Sequence, residues 1–274
     1  HCRSRTEEFW TTLEDSWDFT TPKTSCDNEN TKFNIVVPFY NCESWILKCL
    51  RSIKNQRYSN YKCFIVDDMS TDNSSELVEK FINGDDRFKF IRNKNKNFAL
   101  GNIAAVLNSS EHDAEDVNII LDGDDWLSSR NVLGYLNTVY DSGDCKMTYG
   151  TYVYYPNGAV GVEPSQYPQQ VIENNTFRQD QWRASHLRTF KHLLWLNLDM
   201  KDLQNDNGNY YKTAYDQALM LPLLEMSGDR SRYVDKIMHV YNRSNPLNVD
   251  KTKQQLQHAT AMKIRGKKPY RRIE

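Results

Sequence analysis

The chain has 274 residues, with 35 Lys and Arg against 36 Asp and Glu for a formal net charge of −1, and 39% hydrophobic and 12% aromatic residues. That length buries a sizeable core, and the balanced charge argues against a nucleic-acid partner. No apolar run approaches the roughly 18–20 residues that span a bilayer, and six cysteines spread over such a length form no disulfide framework.

The chain begins at His1 and has no apolar leader, which reads as a processed product or an excised piece. Residues 1–31 are a polar, irregular lead-in, where Cys2 and Cys26 pair only in an oxidising compartment. The expected compartment is the cytoplasm, with the secretory-pathway lumen left open. "FNIVVPFYN" (33–41) is a short buried strand closed by Pro38, and "CESWILKCLRSIKNQ" (42–56) puts Trp45, Ile46, Cys49, Leu50 and Ile53 at helical spacing. "YKCFIVDD" is a second strand, "STDNSSELVEKFI" a helix with Ser and Thr capping candidates, "FKFIRN" a third strand and "FALGNIAAVLNSS" a third helix. "DVNIILDGDD" is the fourth strand, with the helix "SSRNVLGYLNTVY" behind it. Alternation with short connections predicts a mostly parallel, Rossmann-like α/β sheet flanked by helices over residues 32–145.

In such sheets ligands bind beyond the carboxyl ends of the strands. Asp67, Asp68, Asp122, Asp124 and Asp125 all fall there. Carboxylates so close repel one another, and burial adds a desolvation cost. A divalent cation relieves both.

Beyond residue 145 the pattern changes to a smaller α+β half, 146–250. "KMTYGTYVYYPNGA" alternates into a "PNG" turn and predicts a hairpin, and residues 160–180 form a long loop. "SHLRTFKHLLWLNL" and "YKTAYDQALMLPLLEM" read as helices, the second interrupted or ended at Pro222, and "RYVDKIMHVYN" as a strand. The basic segment 251–274 is a solvated tail or a cover for one face.

"NIVVPFYNCESWILKCLRSIKNQRYSNYKCFIVDDMSTDNS", followed by "IILDGDDW", resembles the nucleotide-sugar-binding half of the GT-A glycosyltransferases, family 2 in particular. The strand ending in Pro and an aromatic, the "QRYSN", the "VDDMSTD" and the "DGDD" occur in the family's order over roughly residues 33–140. The resemblance implies one compact catalytic domain that moves a sugar from a nucleoside diphosphate, expected to be a UDP-sugar, to an acceptor hydroxyl with inversion. Mn²⁺ or Mg²⁺ would assist as a Lewis acid on the diphosphate. Asp124 is then the expected metal ligand, with Asp122 on the metal or the ribose, Gly123 admitting the backbone close to the ligand, and Asp125 on backbone or donor sugar. Pro38 and Tyr40 lie beside the base. Asp68 contacts it, and Asp67 either does so or braces the "STD" turn. Asn102 matches a family asparagine, but Gly101 stands where an arginine often precedes it, so that Lys94 or Lys96 substitutes or nothing does. Asp216 in "TAYDQALM" matches the general base. Its helical face, shared with Met220 and Leu223, predicts partial desolvation and a raised pKa.

Trp126, Trp182 and His186 are candidates for an acceptor site, since aromatic rings stack on sugars as readily as they fill cores. His239 and Arg243 match no motif well, and His239 reads as a core residue. The acceptor is left open among a protein, a glycan and a lipid-linked sugar. Two alternatives stand beside this reading. One is an inactive sugar-binding or scaffold protein of the same fold. The other is a nucleotidyltransferase forming nucleotide sugars, which the absence of a Gly-rich basic loop after the first strand disfavours.

Overall fold

The computed structural model describes residues 28–109, 111–247 and 254–274. Cys2, Cys26 and most of the lead-in lie outside the described residues. Strands β1 (Phe33–Phe39), β2 (Tyr61–Asp67), β3 (Phe88–Arg92) and β4 (Val117–Ile120) alternate with helices α1 (Ile46–Lys54), α2 (Ser74–Ile82) and α3 (Phe98–Leu107). All seven residues of β1 are buried, the mark of a strand covered on both faces. Period-two alternation divides it: Ile35 and Val37 pack with Ile46, Leu50 and Val78 of α1 and α2, whereas Val36 packs with Leu100 and Ile103 of α3. A short β5 (Trp126–Leu127) and α4 (Val132–Asp141) complete this half.

The rest comprises β6 (Met147–Tyr155), α5 (Gln169–Glu173), β7 (Arg188–Lys191), α6 (His192–Leu196), α7 (Tyr215–Ser227), β8 (Ser231–Asn242) and α8 (Gln254–Arg265). One eight-stranded sheet runs β3-β2-β1-β4-β7-β6-β8-β5. Its first four strands are parallel, and β7 joins β4 antiparallel. The sheet thus crosses between the two halves without a break. Among the described residues no helix is long and apolar enough to cross a membrane.

Three expectations need correction. "SHLRTFKHLLWLNL" is strand β7 followed by the short α6, because Arg188–Lys191 adds to the open edge of β4 in register with Val117–Ile120. The "PNG" turn closes through Gly158 N–H to the Tyr154 carbonyl (2.8 Å), but no return strand follows beyond a bridge of Val153 with Val160. The main partner of β6 is β8, parallel and distant in sequence. Helix α7 runs straight through Pro222, since residues Ala218–Ser227 are buried without a break and that packing offsets the roughly 3 kcal/mol a proline costs a helix. The basic end is a cover: Tyr270 N–H donates to Glu225 (3.0 Å) and Ile273 N–H to the Met226 carbonyl (3.0 Å).

Candidate active site

A cleft of about 450 Å³ opens at the carboxyl edge of β1, β2 and β4. At one end, Pro38 and Tyr40 leave β1, and Lys96 places its ammonium 3.0 Å from the Tyr40 ring centroid. Of the two lysines expected to stand in for a missing arginine, Lys96 lines the cleft; Lys212 joins it, over the Phe98 ring at 4.1 Å. Asp68 lines the cleft and also holds the start of α3, accepting from Asn97 N–H (2.8 Å), Phe98 N–H (3.0 Å) and Asn93 Nδ2 (3.1 Å). Those bonds keep Phe98 at φ 59°, a left-handed conformation that is costly for a bulky residue. Asp67 points elsewhere. It accepts from Ser70 N–H (2.8 Å) and the Ser75 hydroxyl, bracing the turn after β2. Asn102 is fully buried and lines the cleft, its Oδ1 accepting from Asn93 Nδ2 (2.6 Å).

At the centre the chain leaves β4 into the acidic turn. Gly123 donates its N–H to the Pro38 carbonyl (3.1 Å), and a Cβ there would lie 2.5 Å from Phe39 Cβ. The close approach that demands glycine is therefore to the neighbouring strand. Asp122 accepts from the Tyr215 hydroxyl at 2.7 and 2.9 Å and from Arg188 Nη2 at 3.4 Å. Asp124 accepts from Asn245 Nδ2 (2.8 Å). Asp125, 1% exposed, accepts from His239 Nε2 (2.9 Å) and Asn242 N–H (2.8 Å). The His186 ring stacks on His239 with centroids 4.3 Å apart, and one ligand atom each from Asp125, His186 and His239 lie within 4.8 Å of one another.

Burial, with repulsion from neighbouring carboxylates, pushes Asp124 and Asp125 well above the ordinary carboxylate value. Burial also lowers His239 to about 3 and His186 well below its usual value, helped in both by Arg188, so neither imidazole carries a balancing charge. Three carboxylates then face one nearby guanidinium. That excess of hard anionic oxygens beside neutral imidazole fits a divalent cation such as Mn²⁺ or Mg²⁺.

The facing wall is the start of α7: Lys212, Thr213, Ala214, Tyr215 and Asp216. Met220 and Leu223 are fully buried on the face below Asp216. Burial raises the Asp216 carboxyl above its ordinary value while Arg188 pulls it down. Of the acceptor candidates His186 lines the cleft. Trp126 is 1% exposed, packed on Val153 and Val240 with Lys48 over its ring, and Trp182 is half-buried against the core. Neither lines the cleft among the described residues. The sequence reading passed over Arg188, Tyr215 and Asn245. Arg188 was lost with the misread strand, Asn245 carries no pattern at all, and only the adjacency of Tyr215 to Asp216 was a usable signal.

The family model described as glycosyl transferase family 2 matches residues 34–203. Glycosyltransferase GlyA of Streptococcus pneumoniae is 33% identical over 109 residues, 40% of this chain and 14% of its own length. The putative glycosyltransferase EpsH of Bacillus subtilis is 32% identical over 117 residues, 42% of this chain and 33% of its own. The chain thus spans well under half the length of these relatives. Among solved structures, S. aureus TarS in complex with UDP-GlcNAc superimposes with a TM-score of 0.63 at 16% identity, covering 81% of this chain and 61% of that one. Mannosyltransferase PcManGT from Pyrobaculum calidifontis, in complex with GDP-Man and Mn²⁺, gives 0.56 at 16%, covering 97% and 73%. With the four parallel strands and the acidic turn at their carboxyl edge, these matches place the fold as GT-A, and the chain belongs to glycosyl transferase family 2.

Proposed function

We propose that the cleft binds a nucleoside diphosphate sugar with a divalent cation, Mn²⁺ or Mg²⁺, and transfers the sugar to an acceptor hydroxyl with inversion. The observation that carries this reading is the placement of Asp124 and Asp216 on facing walls of one cleft, with Arg188 between the acidic turn and the base. TarS and PcManGT, solved with UDP-GlcNAc and with GDP-Man and Mn²⁺, support a nucleotide-sugar donor. The donor is a UDP-sugar on this reading: Pro38 and Tyr40 flank the base, Asp68 accepts its imide N–H, and Asn102 lies alongside. Asp122 reaches the ribose. Lys96 and Lys212 face the diphosphate.

Asp124 would hold the cation, with Asp125, His239 and His186 beside it, and when bound the cation supplies a Lewis acid that stabilises the leaving diphosphate. Asp216 accepts the proton of the acceptor hydroxyl as the new C1–O bond forms on the face opposite the leaving group. The old C1–O bond breaks and its electron pair stays on the diphosphate oxygen. A carboxylate raised by burial is the stronger base for that step. The acceptor is a glycan or a protein hydroxyl.

The test is calorimetric titration of a panel of nucleoside diphosphate sugars with and without Mn²⁺, alongside release of free nucleoside diphosphate. Asp124→Asn should lose metal-dependent donor binding. Asp216→Asn should keep binding and lose turnover. Failure of every donor to bind with any divalent metal overturns the reading in favour of a scaffold.

A further inference from the structure

The base helix α7 follows an irregular stretch that leaves β7 and α6, so chain connectivity alone does not fix its first turn against the acidic turn. Ala214, the residue before it, sits at φ 51°, and its side chain caps nothing. Behind the cleft Ala218 and Leu219 of α7 pack in one core with Val36, Leu100 and Ile120; at the cleft itself one polar constellation joins the two walls. The Tyr215 hydroxyl spans both oxygens of Asp122, 93 positions away in sequence, at 2.7 and 2.9 Å. Arg188 Nη2 meets the same carboxylate at 3.4 Å, the Tyr215 oxygen at 3.5 Å and His186 Nδ1 at 3.2 Å. Arg188 is 1% exposed, and the other nitrogens of its guanidinium have no hydrogen-bond partner among the described residues. So costly a buried cation is held in place by the anion it faces.

We propose that Tyr215 is a positioning residue. By clamping Asp122 it sets the distance between the donor side of the cleft and Asp216, the next residue along the helix, while Arg188 Nη2 donates to the same carboxylate at 3.4 Å. Asp122 then serves two masters, because Oδ1 retains a lone pair for ligand after accepting from Tyr215. This role rests on the transferase reading for its catalytic consequence. The mechanical part, that Asp122 anchors the first turn of α7, stands without it. A tyrosine fits the task where phenylalanine does not, since only the hydroxyl reaches the carboxylate.

The experiment is Tyr215→Phe, which removes one oxygen and keeps the ring. Turnover of the donor should fall by about 10²-fold, the cost of a reacting group misplaced by about 1 Å, with donor affinity and donor KM unchanged within about twofold. Hydrogen exchange across residues 214–218 should quicken by about tenfold. In an Asp122→Ala background, Tyr215→Phe should add no further loss of either kind. Unchanged exchange in Tyr215→Phe overturns the anchor whatever the activity. Quickened exchange with unchanged turnover in an active wild type overturns the positioning role. A wild type that binds no donor strikes the transferase reading, while the exchange measurement still decides the clamp.

Discussion

Replacing Gly123 with alanine tests whether the acidic turn is set by its own packing. The added Cβ would lie 2.5 Å from Phe39 Cβ, about 0.9 Å inside the 3.4 Å at which ordinary contact begins. Sideways relief is blocked by Ile46 Cδ1 and the Pro38 carbonyl, each 3.3 Å from the same point. Phe39 is buried and stacks on Phe90, so β1 does not yield readily. The turn must move instead, and it carries Asp122 on one side of the glycine and Asp124 on the other. Overpacking of this kind costs about 1–3 kcal/mol of stability, and a shift near 1 Å in catalytic groups costs about 10²-fold in turnover. Urea unfolding gives the first quantity, and nucleoside diphosphate release with Mn²⁺ the second. Gly143→Ala is the control for turnover: its Cβ meets nothing within 4 Å, and its φ of +122° strains the backbone by about 1–3 kcal/mol far from the acidic turn, so stability falls while turnover holds. If Gly123→Ala unfolds within about 0.5 kcal/mol of wild type and turns over within about twofold, the turn has slack and the argument from crowding is wrong.

Three further outcomes are expected. Arg178 and Glu225 form a buried pair (2.6 Å) inside the second half, so Arg178→Met alone should cost about 3–5 kcal/mol by stranding the carboxylate, whereas Arg178→Met with Glu225→Leu should recover most of it in urea unfolding. Asp216 must be ionised to act as base and burial raises its pKa, so kcat/KM should fall as pH drops through a value above the ordinary carboxylate range; a profile flat down to about pH 4 refutes the assignment. Asp124 binds its proton more tightly folded than unfolded, so its contribution to stability is lost as pH rises from the ordinary carboxylate pKa through the raised one. Thermal melts without metal should show that loss in wild type and a flatter profile in Asp124→Asn. Mn²⁺ should raise the wild-type midpoint more at pH 7 than at pH 5, the stabilisation reaching about 2.7 kcal/mol where the ion is at a hundred times its Kd, and equal midpoint shifts at both pH values would place the ion elsewhere.

Local pattern reached a long way into the first half. Strands β1, β2 and β4 were readable because a strand buried on both faces is a nearly continuous apolar run, broken in Phe33–Phe39 only by Asn34, and α1 repeats its buried residues at three and four. The acids at the strand ends, Asp68, Asp122, Asp124 and Asp125, stood out because clustered charge at the end of a buried run demands a compensating partner, and all four line the cleft. Asp67 was left open between two roles in sequence, and only the Ser70 and Ser75 contacts show it bracing the turn.

The second half resisted for physical reasons. "LRTFK" carries no strand periodicity of its own and is a strand because the edge of β4 supplies the hydrogen bonds. Pro222 reads as a stop, yet burial on all sides of α7 outweighs the missing N–H. What the sequence alone determined, then, was the parallel half, the acidic edge and the identity of the acids, since these follow from hydrophobic period and from charge repulsion between near neighbours. Tertiary structure decided which groups meet across it: His239 on Asp125, Asn245 on Asp124, and Tyr215 with Arg188 on Asp122. Those contacts join residues 66 to 121 positions apart, and no local propensity encodes a meeting that exists only once the sheet has closed over both halves.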